Sequence, residues 1–387
     1  MRRFFKIFYL FLFCFILSAP LLLNVFEIQE KKQSTENRKL KELPTFDINH
    51  LDPFPSKFEA FYNDHFPFRN TMLSDLSYVY SRYFLKSPMP EKVVLGVDDW
   101  MYALNSDFNY YTGKEKFSNG LTDSILQELK RRSDTCNRLG VEYRIIVVPS
   151  KPKLYPENLP SYFFKSENDP VSSLLDMIRE KTKIPVLYLE DSLKKYKKSG
   201  KLYMKLDTHW SDLGTYYGYC GIINWLKIDH PRLKPVSIDN FYLRDTLIKS
   251  GNICNQLGLD EFYSEEKTLF KEKIRLSWRE RKKENYPVWS WFGYPWEYEK
   301  AYQNIDSTLP GLLIIRDSFT NELLQQLMAS HYGRTTVIWD YWQHKLNYNI
   351  IRNERPRFVI DIINELFLKN YAAYPEKYLT RIDSSGL

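Results

Sequence analysis

Cysteine is scarce in this chain of 387 residues, which contains four. Cys14 falls within an apolar run near the N-terminus, so Cys136, Cys220 and Cys254 remain, at wide and unrelated spacings. An odd number of cysteines at such spacings excludes a disulfide framework and gives no zinc-binding pattern. At most one disulfide can form among them, and we expect buried free thiols instead.

Motifs for metal and nucleotide chemistry are missing as well. The sequence contains no HExxH, no paired CxxC, no Walker loop and no GxGxxG, so neither a metal nor a nucleotide is predicted. Asp207 and His209 are separated by one residue and are of types that bind metals, but a third ligand at a recognisable spacing is lacking. We therefore expect no cofactor.

An excess of charge of one sign is also lacking. The formal net charge is +7, and Arg2, Arg3 and Lys6 supply three of the positive charges before the first apolar run. The rest of the chain is only mildly basic, which argues against a dedicated nucleic-acid binder. Apolar residues make up 43% of the sequence and aromatic residues 16%. This composition fills a substantial core, in one large domain or two ordinary ones.

The N-terminus carries the longest apolar run. Residues 7–26 contain no charge and are long enough to cross a bilayer once as a helix,. The basic residues before this run predict that residues 1–6 stay in the cytoplasm and that the rest is exported to the periplasmic side. The alternative is a cleaved signal peptide, because residues 18–20 are Ser-Ala-Pro. We favour an uncleaved single-pass anchor, since the apolar stretch continues through residues 21–23.

Residues 27–90 follow as a stalk and a helical segment. Residues 27–50 are polar and rich in Lys and Glu, which suits a spacer between the membrane and the body of the protein. Apolar residues then recur at intervals of three and four on both sides of Pro67, which predicts two amphipathic helices. Asp64 and His65 fit the polar turn between those helices better than a reactive site.

The body, residues 91–387, alternates strand and helix patterns. Short apolar, β-branched or aromatic runs that are separated by helical patterns indicate a mostly parallel sheet covered on both faces, that is, a three-layer α/β/α domain. The predicted strands are 141–150, 184–191, 311–318, 335–342 and 357–364, and the predicted helices lie near 121–139, 170–182, 213–226 and 321–330.

One serine lies where such a sheet places reactive groups. Residues 311–315 form a buried strand, Arg316-Asp317-Ser318 follows, and a helix begins near Thr320. Reactive groups gather at the carboxyl ends of parallel strands, and the following helix N-terminus offers N–H groups to a developing oxyanion. The alternative is that Ser318 or Thr320 merely caps the helix.

A serine nucleophile needs a base, and the base needs an orienting group. In an extended segment the side chains of Asp207 and His209 point to the same side, so the carboxylate can take the Nδ1 proton and leave Nε2 free for Ser318. Ser211 and Asp212 account for the capping of the next helix but leave His209 unexplained. His344 is the alternative base, although only His209 has an acid two residues before it.

These residues carry a resemblance to a known family. The segments LDTHWSDLGTYYGY (206–219) and LLIIRDSF (312–319) resemble the paired signatures of the SGNH-hydrolase-like proteins of the alginate O-acetyltransferase type, the AlgJ/AlgX-like family. Further similar stretches lie in order between residues 58 and 368. They are FYNDHFPFR (61–69), VVLGVDDWMYAL (93–104), VVPSKPKLYPENLP (147–160), SGNICNQLGL (250–259) and RPRFVIDIINELFL (355–368).

The resemblance implies a triad of Asp207, His209 and Ser318, in an order permuted relative to ordinary SGNH esterases, in which the serine comes first. It also implies a polysaccharide acceptor and a multi-spanning membrane acyltransferase that supplies the acyl group. The sequence departs from the family pattern at three places, none of which touches the triad. They are Gly251-Asn252-Ile253, Pro356-Arg357 and Glu365-Leu366.

Candidate substrate contacts are predicted mainly from the aromatic content of one segment. Residues 286–302 hold eight aromatic residues in 17 positions, within an aromatic-rich insertion at about 230–305. Tryptophan faces stack on sugar rings, so the segment could line a glycan groove; a packed insertion or a membrane-facing loop fits equally well. The candidate residues for such a groove are Lys151, Tyr155, Trp210, Arg316, Trp289 and Trp291.

The sequence therefore predicts a membrane-anchored O-acetyltransferase that acts on an exported polysaccharide through a serine acyl-enzyme. A carbohydrate esterase with the same triad is the first alternative, because water in place of the sugar makes the same machinery hydrolytic. A non-catalytic glycan-binding scaffold of an export complex is the second, and an intact triad speaks against it.

Overall fold

The computed structural model describes residues 2–26, 39–46, 48, 52–249, 251–282, 284, 300–339 and 342–372. The chain divides into two compact units. The first comprises Met1–Pro90 and Lys249–Ser264, and the second comprises Glu91–Ile248 and Glu265–Leu387.

The secondary structure alternates helices and short strands along most of the chain. The helices are α1 (Arg2–Val25), α2 (Pro53–Asp64), α3 (Arg69–Tyr83), α4 (Ser106–Thr112), α5 (Asn119–Arg138), α6 (Lys151–Leu154), α7 (Pro170–Thr182), α8 (Glu190–Tyr196), α9 (Asp212–Leu226), α10 (Asn252–Gln256), α11 (Glu322–Ala329) and α12 (Tyr348–Glu354). The strands are β1 (Val93–Leu95), β2 (Met101–Ala103), β3 (Glu142–Val148), β4 (Val186–Tyr188), β5 (Phe241–Lys249), β6 (Ser264–Glu272), β7 (Trp278–Glu280), β8 (Lys300–Asn304), β9 (Gly311–Arg316), β10 (Arg334–Trp339) and β11 (Phe358–Asn364).

The first unit is helical. The two helices predicted around Pro67 are present as α2 and α3, and α3 contacts the second segment of the unit. The Tyr78 ring stacks on Phe262 with the ring centroids 4.3 Å apart, and the Ser74 hydroxyl donates to the carbonyl of Gly258. The sequence pattern contains no signal for this pairing of distant segments.

The predicted transmembrane segment, residues 7–26, lies in α1 except for its last residue, since α1 ends at Val25. In the part of the chain that the structure describes, none of the helices has the length and apolarity that a membrane crossing requires. The transmembrane assignment therefore stays a prediction from the sequence.

A seven-stranded sheet forms the centre of the second unit. Its strand order is β4-β3-β11-β9-β10-β8-β7. The first five strands run parallel to their neighbours, and β8 and β7 add an antiparallel edge. On the central strand, Ile314 lies opposite Ile360 of β11 and Val337 of β10. The mostly parallel sheet predicted from the apolar runs is confirmed.

Alternate side chains along the strands pack into two separate hydrophobic cores, one on each face of the sheet. Leu312 and Ile314 of β9 point to one face, where α8, α9 and α11 cover the sheet. Leu313 and Ile315 point to the other face, where α5, α7 and α12 pack. A strand buried on both faces must be apolar at every position, which is why β9 reads as an unbroken apolar run. The three-layer α/β/α architecture is thereby confirmed.

Smaller elements surround the sheet. Strands β1 and β2 form an antiparallel pair, and β5 and β6 form a second two-stranded sheet. Cys136, Cys220 and Cys254 are buried and Cys14 is exposed, and none of these four described cysteines forms a disulfide. Because β3, β11 and β9 are parallel neighbours, Val148, Asn364 and Arg316 end them at one edge of the sheet, and the candidate site lies there.

Candidate active site

Ser318 follows the central strand in a tight turn. Strand β9 ends at Arg316, and α11 begins only at Glu322. The cap of that helix is Asn321, whose side chain accepts the N–H of Leu324 at 3.1 Å. The predicted alternative, in which Ser318 or Thr320 caps the helix, is therefore wrong.

Asp207 and His209 lie in a short loop before α9. A β-bridge between Tyr203 and Trp210 closes this loop, and the N–H of Met204 donates to the carbonyl of His209 at 3.1 Å. Ser211 caps α9 through the N–H of Gly214, as predicted. The loop is therefore compact on both sides of the two polar side chains.

The three side chains form a continuous series of hydrogen bonds. Nδ1 of His209 lies 2.6 Å from Oδ1 of Asp207, and Nε2 lies 2.8 Å from Oγ of Ser318. A carboxylate only accepts, so Nδ1 carries the proton and the lone pair of Nε2 faces the serine hydroxyl. The contact predicted between two segments more than a hundred positions apart is present.

The series is open to solvent on one side. The His209 side chain is 31% exposed and that of Asp207 is 23% exposed, and Ser318 is half-buried. The His209 ring also packs against the ring of Phe319, with the centroids 4.8 Å apart. A substrate can therefore reach the Ser318 hydroxyl, while Phe319 packs against the imidazole.

Lys151 fixes the loop from the inside and does not line an open groove. It is buried, and its ammonium donates to the carbonyls of Met204 at 3.1 Å, Lys205 at 3.0 Å and Asp207 at 2.7 Å. The predicted role in substrate binding is corrected to a clamp on the loop. Burial lowers the pKa of Lys151 to about 7, although the carboxylates of Asp207 and Glu265 oppose that shift.

Glu265 fixes the same loop through its N–H groups, and sequence reasoning missed it. The buried carboxylate accepts from the backbone of Lys205 at 2.7 Å and Leu206 at 2.9 Å, and from the ammonium of Lys201 at 2.7 Å. Glu265 is the second residue of the polar strand β6, in which residues 264, 266, 269 and 271 are exposed. No local pattern distinguishes it from its exposed neighbour Glu266.

Two further predicted groove residues are buried. The indole N–H of Trp210 donates to the carbonyl of Phe319 at 2.8 Å, which ties the histidine loop to the serine turn. The Tyr155 hydroxyl accepts the N–H of Leu202 at 2.8 Å. Both side chains are less than a tenth exposed, because they fill the space beneath the loop. They position the site and have no surface for a sugar.

Arg316 also departs from its predicted role. It is buried, its guanidinium lies 4.6 Å from the centroid of the Trp339 ring, and it donates to the carbonyl of Asp317 at 3.3 Å. Trp289 and Trp291 lie outside the described residues, as does most of the aromatic segment 286–302. Nothing in the structure therefore bears on the glycan groove predicted there.

His344, the alternative base, pairs with a different carboxylate. It is fully buried, and its Nδ1 lies 2.6 Å from Oδ1 of Asp361. Within the described residues, no group of three or more His, Cys, Asp and Glu side chains could hold a metal ion.

Comparison with known proteins agrees with the resemblance seen in the sequence. The family described as "SGNH hydrolase-like domain, acetyltransferase AlgX" matches residues 93–265. This range includes Asp207 and His209 and ends before Ser318, so the position of the serine rests on the contacts above. The sequence resemblance to an AlgJ/AlgX-like family is confirmed.

Two curated relatives are each named "Probable alginate O-acetylase AlgJ". That of Pseudomonas aeruginosa is 27% identical over 213 residues, 54% of this chain and 51% of the relative. That of Azotobacter vinelandii is 25% identical over 217 residues, 54% of this chain and 52% of the relative. The chain thus spans about half the length of the curated relatives it matches. The solved structure of Bacillus cereus PatB1 has a TM-score of 0.53 at 16% identity and covers 73% of this chain and 97% of its own, which shows a shared fold.

Proposed function

We propose that the chain, which resembles AlgJ/AlgX-like proteins and matches an SGNH hydrolase-like domain over residues 93–265, transfers acetyl groups to hydroxyls of an exported polysaccharide through an acyl-enzyme on Ser318. The single observation that carries this proposal is the hydrogen-bond series from Asp207 through His209 to Ser318. The names of the curated relatives support acetyl transfer and a polysaccharide acceptor.

The first half-reaction loads the serine. Ser318 Oγ gives its proton to Nε2 of His209 and bonds to the acyl carbon of the donor. The leaving group of the donor departs with that proton, so Ser318 carries an ester. Asp207 keeps the Nδ1 proton in place and stabilises the imidazolium that forms between the two proton transfers.

The second half-reaction transfers the acyl group from Ser318 to the acceptor. A sugar hydroxyl gives its proton to Nε2 of His209, and its oxygen bonds to the acyl carbon. Ser318 Oγ leaves and takes that proton back, so the enzyme returns to its starting state. Water in place of the sugar gives hydrolysis by the same steps. Whether the acyl group is transferred or hydrolysed therefore depends on whether a sugar hydroxyl or water reaches the ester.

The location of the chemistry belongs to the same proposal. The apolar run of residues 7–26 supports a single-pass anchor in the cell membrane, with the α/β unit on the periplasmic side,. A membrane-bound acyltransferase would then deliver the acyl group from across the bilayer to Ser318. An imidazole oriented onto a half-buried serine favours a catalytic role over that of an inactive scaffold.

The test uses the full chain, purified in mild detergent, with an activated acetyl ester and a panel of neutral and acidic oligosaccharides. We expect acetylated oligosaccharide with the wild type and none with Ser318→Ala or His209→Gln. Ser330→Ala is the control, because Ser330 follows the last residue of α11 and its hydroxyl donates to the carbonyl of Gln326 in that helix at 3.0 Å.

The competing functions give different products in this assay. Free acetate without acetylated sugar would replace the transferase with an esterase. Glycan binding without either product, equal in the wild type and in Ser318→Ala, would leave a scaffold and overturn the proposal.

A further inference from the structure

A buried carboxylate holds the turn that presents Ser318. Asp317 is fully buried, and its Oδ1 accepts the N–H of Phe319 at 2.8 Å. Its Oδ2 accepts the N–H of Asn364, at the end of β11, at 2.5 Å. The residue just before the serine thus ties the residue just after it to the neighbouring strand. Both bonds need an acceptor on each oxygen, which the ionised carboxylate supplies.

An imidazole lies between this carboxylate and a second one. Nε2 of His344 is 3.9 Å from Oδ2 of Asp317, and Nδ1 is 2.6 Å from Oδ1 of Asp361. All three side chains are fully buried. The other oxygen of Asp361 accepts the hydroxyl of Tyr143 at 3.2 Å. His344 therefore faces the carboxylate of Asp317 with one ring nitrogen and that of Asp361 with the other.

Two arginines and a glutamate lie next to His344 and Asp361. The buried guanidinium of Arg132 donates to the carbonyl of His344 at 2.6 Å, pairs with Glu128 at 2.9 Å and lies 3.8 Å from Asp361. Arg131 binds the other oxygen of Glu128 at 2.8 Å. The rings of Phe367 and Tyr371 lie beside the imidazole, with their centroids 6.5 Å and 6.0 Å from the centroid of the His344 ring.

The ion pairs above involve three carboxylates, those of Glu128, Asp361 and Asp317, and two permanent cations, Arg131 and Arg132. A third guanidinium, that of Arg316, donates to the backbone carbonyl of Asp317. With a neutral His344, the carboxylate of Asp317 would face no cation in these ion pairs, and a buried carboxylate without a counter-charge is costly. Burial raises the pKa of Asp317, and among the groups that oppose this rise His344 comes first, ahead of the N–H groups of Asn364 and Phe319 and of His209.

We propose that His344 carries protons on both ring nitrogens and acts as a positioning residue, which keeps Asp317 ionised and thereby fixes the turn that presents Ser318. The consequence for activity rests on the proposed function of Ser318; the protonation of His344 does not. Without the imidazolium, Asp317 takes up a proton at a higher pH. The protonated carboxyl group loses one of its two backbone bonds, and the serine turn loosens.

The first experiment does not depend on activity. The full chain is labelled with ¹⁵N-histidine, and the ring resonances of His344 are assigned by their loss in His344→Gln. We expect both ring nitrogens to be protonated at pH 7. A ring with a single proton at that pH would overturn the proposal, whatever the enzyme catalyses.

The second experiment measures the pH profile of acetyl transfer. In His344→Gln the acidic limb should move to higher pH by about one unit or more, because an opposite charge near a carboxylate typically shifts its pKa by 1–3 units. Asp361→Asn, which no longer orients the imidazole, should move the limb in the same direction. In an Asp317→Asn background, His344→Gln should cause no further movement of the limb.

His331→Gln is the matched control, because His331 bonds to Tyr219 in another part of the second unit. Circular dichroism and thermal unfolding confirm that each variant is folded. A folded His344→Gln variant with an acidic limb like that of the wild type, or with activity lowered equally at every pH, would reduce His344 to a packing residue and overturn the proposal. Inactivity of the wild type would instead refute the proposed function and leave the labelling result intact.

Discussion

Asp207 uses one oxygen for two bonds to the same neighbour. Its Oδ1 accepts the backbone N–H of His209 at 2.9 Å and the Nδ1 proton at 2.6 Å. The first bond fixes the chain and the second fixes the ring, so the carboxylate selects both the position and the tautomer of the imidazole. The negative charge in addition stabilises the imidazolium that forms during proton transfer.

Replacement of this charge should therefore affect the rate more than the fold. We expect Asp207→Asn to lower kcat for acetyl transfer by a factor on the order of 10²–10⁴, because the amide no longer stabilises the imidazolium. Steady-state kinetics with an acetyl donor measure this effect. The control is Asp212→Asn, since Asp212 lies in the next helix and pairs with Lys267. Activity of Asp207→Asn equal to that of the control would contradict the role given to Asp207.

Lys151 donates to three carbonyls of the loop, and of these the carbonyl of Lys205 also accepts the N–H of Met101 at 3.0 Å. We expect Lys151→Met to destabilise the chain by about 2–4 kcal/mol at pH 6, where the ammonium is present, because the carbonyls of Met204 and Asp207 lose this donor. Chemical denaturation measures the loss. Lys130→Met should change stability by only about 0.5 kcal/mol, since Lys130 forms an exposed pair with Asp134,. Equal losses in the two variants would show that Lys151 is not a clamp.

The same lysine gives a pH dependence with a definite sign. The folded pKa is lowered by burial to about 7, and the ordinary value is 10.5. Between these values the unfolded chain binds a proton that the folded chain does not, so the unfolding free energy rises with pH, by up to about 1.4 kcal/mol per pH unit. The advantage of the wild type over Lys151→Met should therefore grow from pH 7 to pH 10. An advantage that shrinks over this range would contradict the assignment.

At the scale of elements, the loop before α9 depends on a strand that is distant in sequence. Glu265, at the start of β6, accepts N–H groups of Lys205 and Leu206. Residue Gly214 lets α9 approach closely, because a Cβ there would lie 2.0 Å from the carbonyl oxygen of Leu202. The geometry of the triad therefore draws on elements that supply no reactive group.

Glu265→Gln should loosen this loop. An amide keeps one acceptor oxygen and places an NH₂ group against a backbone N–H, so we expect a loss of about 1–3 kcal/mol. Hydrogen exchange of residues 203–210 should become faster, while that of β3 stays the same. Glu266→Gln is the matched control, because the Glu266 side chain is exposed. Unchanged exchange in Glu265→Gln would remove β6 from the account of the site.

Elements were predictable where local patterns decide them. Strand β9 and the other parallel strands appear as apolar runs, and the capping of α9 by Ser211 follows from its residue type. The clamps were not predictable, because burial of a lysine or a glutamate depends on partners far along the chain. Lys151 and Tyr155 follow a strand end, as groove residues do, but the loop of residues 203–210 folds over them.

At the scale of the whole molecule, the chain leaves the α/β unit and returns to it. Residues Lys249–Ser264 belong to the same unit as α3, and the stack of Tyr78 on Phe262 lies within that unit. From the sequence alone, this stretch is assigned to the body of residues 91–387. A pairing between residues nearly two hundred positions apart leaves no periodic signal that could have shown otherwise.

This division predicts how the molecule opens. In native-state hydrogen exchange of the full chain under mild denaturant, residues 251–264 should lose protection together with α3, at a different denaturant concentration from β3 and β11. Tyr78→Ala should lower the protection of both segments, and Tyr242→Ala, on an exposed residue of β5, should leave them unchanged. Loss of protection in step with the central sheet would contradict the division.

The central claim is that His209 activates Ser318 to accept an acyl group. The most direct measurement is peptide mass spectrometry of the full chain after a brief reaction with an activated acetyl ester in the absence of sugar. The account predicts one acetyl group on Ser318, its loss on addition of acceptor, and none on Ser318 in His209→Gln. Acetylation of Ser318 to the same extent in His209→Gln, or acetyl groups only on other residues, would contradict it.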